Sequence, residues 1–177
     1  MITIKYNKIN TLNQNSYNNL IDLLNISQIT CSCGHSGCLI RHAYYTRSFK
    51  ISGGIKITLS ILRVKCSVCG KTHAILPSSL VPYSQVSLHD HITIITNNLK
   101  NKSQTHVMNN NPLIDENTIS YILRNFRKYW KQRLHTFKID ISIQSDCLIK
   151  QCFKYFARQF MQIKCTPNIF YTPTHIT

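Results

Sequence analysis

Acidic residues are the scarcest functional group in this chain, with six Asp and Glu against 21 Lys and Arg in 177 residues, a formal charge of +15. Two-metal phosphoryl-transfer chemistry needs three carboxylates converged on its ions by a sheet domain of well over about 100 residues, and with only about 90 residues left after the segment that holds the cysteine motifs, Asp22, Asp90, Asp115, Glu116, Asp140 and Asp146 have no such domain to hold them. Nucleophilic chemistry fares no better, because Cys38 and Cys147 have no His or acid partner at a recognisable spacing. The chain therefore reads as a protein that is not an enzyme. It also lacks an apolar run long enough to cross a bilayer, and it has no lipidation motif, so no membrane partner is expected. Met1 opens into a polar, Asn-rich segment with no signal peptide, which points to a cytoplasmic protein with reduced cysteines rather than disulfides. No internal repeat is present beyond two short cysteine motifs.

Those motifs are the strongest signal in what remains. Cys31-Ser32-Cys33-Gly34 and Cys66-Ser67-Val68-Cys69-Gly70 each place two thiols before a glycine, which lets the backbone curl so that its amides face the sulfurs. Four thiolates complete a closed tetrahedral shell for a structural Zn2+ ion, with no open position for catalysis. The first pair is one residue short of the usual spacing, so Cys38 and His35 stand as alternative ligands to one of its members. His42 and His73 lie near the motifs and are candidates to orient a ligand from behind. Cys147, Cys152 and Cys165 lack ligand spacing and read as core or free thiols.

The segments between the motifs, Leu39 to Lys50 and Ile55 to Lys65, are rich in β-branched and aromatic residues. Ser52-Gly53-Gly54 separates them, which predicts a hairpin, with a third strand over Thr72 to Leu76. Pro77 and Pro82 mark the exit from the sheet. From Ser87 the apolar period becomes helical through Leu88, Ile92, Ile95 and Leu99. A further turn is expected around His106 to Met108, and a long helix runs from Asp115 or Asn117 to about His135. On that helix Ile119, Ile122, Leu123, Phe126 and Trp130 form one stripe, and Arg124, Arg127, Lys128 and Lys131 form another with no acid between Asn117 and Lys138. A helix over Cys147 to Ile163, with Phe153, Phe156 and Phe160 inward, is followed by a loose tail from Pro167.

The fold expected is α+β, a small β zinc ribbon followed by a helical, helix-turn-helix-like domain. Its divisions are an N-terminal helical segment over residues 1–30 carrying Tyr17, Leu20, Ile21, Leu23 and Leu24, the ribbon over 31–84, the helical domain over 85–138, and the C-terminal helix and tail over 139–177. Biased base composition alone can inflate Lys, so the placement of charge carries more weight than its total. The basic helix stripe, joined on the ribbon by Arg47, Arg63, Lys65 and Lys71, together with Arg41 and Lys56, predicts a nucleic-acid partner, first of all duplex DNA. A single-stranded DNA or RNA binder is the alternative, drawn from Tyr44, Tyr45, Arg47 and Phe49 on one strand, where bases could stack.

The run His42-Ala43-Tyr44-Tyr45-Thr46-Arg47, with Leu62-Arg63-Val64-Lys65 leading into the second cysteine motif and Lys71-Thr72-His73-Ala74 after it, resembles the N-terminal zinc-ribbon region of insertion-sequence transposases. Two departures are the short first motif and Ala43, where glycine is usual. With Leu76-Pro77, Val81-Pro82-Tyr83-Ser84 and the stretch from Tyr121-Ile122 to Trp130 and Arg133-Leu134, the chain also resembles a family of short bacterial proteins carried as a domain of unknown function. The resemblance implies DNA binding linked to mobile elements without the catalytic domain. A protein-interaction role beside a full-length transposase partner is the third reading.

Overall fold

The computed structural model describes residues 1–6, 12–164, 166 and 168–173. Its frame is a long antiparallel hairpin of β2 (Leu39–Ile51) and β3 (Ile55–Cys66), joined by the turn at Ser52-Gly53-Gly54. A bulge between Arg41 and Ala43 leaves His42 as the extra residue. Strand β4 (Thr72–Pro77) pairs antiparallel with the end of β3, as its β-branched run predicts.

Two further strands come from the ends of the described chain. Strand β1 (Ile2–Ile4) pairs parallel with β4, and β5 (Ile169–Tyr171) pairs parallel with β1, giving the order β2-β3-β4-β1-β5. The N-terminal segment is thus not helical throughout, and the stretch beyond Pro167 is not simply a loose tail. Three residues are too few to show a period of two, and both strands take their hydrogen bonds from partners distant in sequence. Cys165 and Pro167 lie outside the described residues.

Helix α1 (Gln14–Asp22) is capped by Asn13, whose side chain accepts from the Ser16 amide while the Ser16 hydroxyl accepts from the Asn13 amide. It buries Tyr17, Leu20 and Ile21 against β3 and β4, whereas Leu23 is exposed. The Tyr17 hydroxyl donates to the Ile75 carbonyl at 3.0 Å and accepts from the Leu62 amide at 2.9 Å. It thereby bridges the rung just past Arg63↔Ala74, where β3 and β4 part.

The second half is helical: α2 (Leu88–Leu99), α3 (Thr105–Asn110), α4 (Glu116–Asn125), a π turn (Phe126–Trp130), α5 (Lys131–Thr136) and α6 (Ser145–Phe156). Ser87 and Asp115 cap α2 and α4. The expected long helix is present but carries the π turn. Its buried positions Ile122, Phe126, Trp130 and Leu134 step by four, which would drift off one face of a 3.6-residue helix, and the wider turn keeps Trp130 and Leu134 inside. Trp130 is fully buried, edge-on to Phe156 and Phe160.

Two apolar cores result, one closing with Leu80 and the other opening with Val81. They are fastened together at the hairpin tip by Asp90, whose carboxylate is buried and accepts from the hydroxyls of Ser52 and Ser87 and from the Asn111 amide group. The Gly53 amide donates to the Asn110 carbonyl at 2.8 Å, and a Cβ on Gly54 would come within 2.9 Å of Pro112. The tip can therefore seat only a residue without a side chain at Gly54.

Two stability measurements test this arrangement. Asp90→Ala strands two buried donors, Ser87 and Asn111, and the half-buried Ser52, and is expected to cost about 3 kcal/mol in urea denaturation. His91 is fully buried, bonded to the Ser84 hydroxyl at 2.9 Å, and burial lowers its pKa to about 3. The unfolded chain takes up that proton from about pH 6.5 downward while the folded chain does not. The His91 contribution is therefore complete above about pH 6.5 and is lost at up to about 1.4 kcal/mol per unit as pH falls toward the folded value. Replacing His91 with Phe should flatten that part of the profile.

Candidate metal centre

Cys31 and Cys33 leave the loop that follows a short helical turn at Ile26–Gln28, and Cys66 and Cys69 flank the end of β3. Local hydrogen bonds shape both turns. The Gly34 amide donates to the Cys31 carbonyl, and the Gly70 amide donates to the Cys66 carbonyl. Both glycines take the left-handed backbone that the tight return requires, at φ 91° and 70°. The hairpin register then joins the turns, with Leu39 opposite Cys66 and the Ser67 amide donating to the Cys38 carbonyl at 2.8 Å.

The four sulfurs of Cys31, Cys33, Cys66 and Cys69 all lie within 4.8 Å of one another. Cys31 and Cys69 are 3.7 Å apart and Cys33 and Cys66 are 3.8 Å apart. A tetrahedral zinc with sulfur arms of about 2.3 Å has edges of about 3.8 Å, so the donor set fits zinc in both chemistry and spacing. Zinc held by these four residues would supply a fixed cross-link and leave no open coordination position.

At Cys66, though not at Cys69, whose thiol is pushed up to about 12, the protein's own groups favour the anionic sulfur that such an ion requires. The Cys69 amide donates to the Cys66 sulfur at 3.4 Å, and this bond, working against burial, lowers the Cys66 thiol to about 6. Cys38 has the opposite character. It donates to the His35 carbonyl at 3.1 Å, lies 3.4 Å from the Cys66 sulfur, and burial pushes it up to about 11. It is a thiol packed against the cluster, outside the four-sulfur group.

The histidines separate in the same way. His35 is exposed, with Nδ1 3.5 Å from the Cys33 sulfur. His73 is buried on β4, and its Nε2 lies 3.4 Å from the Cys31 sulfur. Burial lowers its pKa to about 4, so the ring is neutral and can orient Cys31 by a hydrogen bond. His42 is exposed on the bulge.

The basic residues fall into two groups. Arg124, Arg127, Lys128 and Lys131 are exposed along α4, the π turn and α5, and Arg63, Lys65 and Lys71 are exposed on the ribbon. Arg47 is half-buried, donating to the Ser84 carbonyl at 2.8 Å and lying 5.0 Å over the Phe49 ring, so it stitches β2 to the following loop. Phe49 is fully buried and cannot stack on a base, and Tyr44 and Tyr45, as neighbours in the strand, point to opposite faces of the sheet. Tyr83 enters the sequence reading only as part of the family resemblance and Lys164 not at all, because their proximity arises only when the C-terminal segment folds back.

Fold and centre together define a mixed α+β protein of five strands and flanking helices with a four-cysteine cluster able to bind a metal ion. The chain belongs to the family described as Domain of unknown function (DUF6431), whose model matches residues 22–122, more than half of its length. No curated protein and no solved structure matches it. Among the described residues no helix is long and apolar enough to cross a membrane.

Metal analysis of purified protein is expected to give one zinc per chain. Cys66→Ser should lose it, Cys38→Ser should retain it, and a strong chelator should abolish the cooperative thermal transition of the ribbon.

Proposed function

We propose that this protein is a zinc-organised DNA-binding module, not an enzyme, whose basic helix lies against the phosphates of duplex DNA. The observation that carries this reading is the uncompensated charge of that helix. Among the described residues Arg124, Arg127, Lys128 and Lys131 form no ion pair, and only two are present, Lys5 with Asp146 at 3.9 Å and Arg41 with Asp22 at 3.8 Å. A helix that is merely solvated gains from interspersed acids, and none stands between Asn117 and Lys138. Arg124 and Lys128 lie over the rings of Tyr121 and Tyr129 from their own helix, which holds the stems against the surface and the charges outward.

Five of the six acids are occupied elsewhere. Asp90 is buried at the hairpin tip, Asp115 caps α4, Asp140 bonds Ser142, and Asp22 and Asp146 are paired, which supports binding over carboxylate catalysis. The ribbon's resemblance to transposase N-terminal regions supports double-stranded DNA as the first substrate to try, and a reduced thiol cluster supports a cytoplasmic location.

The test is a salt titration of labelled duplex binding. Affinity should fall steeply with salt, and replacing Arg124, Arg127 and Lys128 together by Ala should reduce the slope of log K against log salt by about 2.7, roughly 0.9 for each lost phosphate contact. A zinc-loaded, folded protein that ignores duplex DNA at low salt would sink the reading and turn attention to a protein partner.

A further inference from the structure

We propose that the cleft between β2, β4 and the loop after Leu80 is a subsite for one unpaired base of a DNA strand. The cleft has a volume of about 290 Å³ and is lined by Tyr45, Arg63, Thr72, Ala74 and Tyr83, with Met1 at its side. Its composition matches a flat ring joined to a phosphate. Tyr45 and Tyr83 bring aromatic surface from two separate elements, and Ala74 leaves room between them. Arg63 donates to the Thr72 hydroxyl at 2.8 Å, which fixes an exposed guanidinium at the edge, and no carboxylate lines the cleft. Lys164 adds a second cation, its ammonium 4.6 Å from the Tyr83 ring centroid.

The backbone of Tyr83 supplies an independent observation. Its φ of 64° places a bulky residue in the left-handed region, where glycine or asparagine would sit at lower cost, yet 39% of the residue remains exposed. The Tyr83 hydroxyl lies 3.2 Å from that of Thr166, which fixes the ring in place while part of it lines the cleft. Stacking on such a ring tolerates any base, because every base has a π face, and the adjoining cations take the flanking phosphates.

The proposal rests on nucleic acid being the partner and goes beyond the duplex reading, so one assay carries separate arms for each. Zinc-loaded full-length protein is titrated against a labelled oligothymidine strand, an abasic strand of equal length and charge, and a duplex, with free thymidine monophosphate as competitor. The oligothymidine strand should bind about 10-fold more tightly than the abasic strand. Tyr83→Asn, which suits the left-handed backbone, and Tyr45→Leu should each remove that preference, with zinc content and thermal midpoint as the check on folding. Equal binding of the two single strands, or a preference that survives in both variants, overturns the base subsite while duplex binding still supports the proposed function. Competition by the free nucleotide at the strand's own affinity overturns a strand as the ligand. Failure to bind any of the three overturns both.

Discussion

Four sulfurs gathered within 4.8 Å of one another are the constraint on which the ribbon depends. Thiols packed this closely are poor neighbours without a cation, since each thiolate formed raises the cost of the next. A metal bound there would convert that repulsion into a cross-link between the loop at Cys31 and the end of β3. The hairpin that starts there runs for a dozen residues a side, about 40 Å, before it turns. An unsupported ribbon of that length is marginal in water. It is held at the far end by a second electrostatic device, the buried carboxylate of Asp90, which gathers donors from the turn, the start of α2 and the end of α3. The hairpin thus has a cluster able to take a cation at one end and a buried anion at the other.

Much of this was legible in the sequence, and what was not has physical reasons. The hairpin, β4, the caps at Ser87 and Asp115 and the four cysteines follow from local spacing, turn residues and apolar period, which are properties of neighbours along the chain. Strands β1 and β5 depend on parallel pairing with distant partners and are too short to carry a pattern. The role of Tyr17 as a bridge between β3 and β4 was invisible because its hydroxyl completes a ladder that sequence cannot show to be broken. Arg47 looked like a surface cation beside aromatics, and burial of Phe49 turned it into a packing residue. In the centre, spacing alone left Cys38 and His35 open as ligands, and the register Leu39↔Cys66 decided between them by setting Cys38 against Cys66 but outside the cluster.

Charge is sorted by task rather than spread evenly. Asp22, Asp90, Asp115, Asp140 and Asp146 act in caps, pairs or the hairpin bolt, all of which serve the fold. Lys5 and Arg41 serve the fold through the same pairs and Arg47 through its bond to Ser84, whereas Arg124, Arg127, Lys128 and Lys131 pair with no described acid. With 21 cations against six acids, the surface carries a net positive field.

The π turn at Phe126–Trp130 couples two faces of one helix. A wider turn changes the bearing at which every later residue leaves the axis, so it sets the direction of Lys131 as well as that of Leu134. Tightening it to ordinary α-helix would rotate one set against the other, and either Trp130 and Leu134 would leave the core or the cations beyond the turn would shift around the surface. The buried stripe and the charged stripe therefore cannot be altered independently at this point.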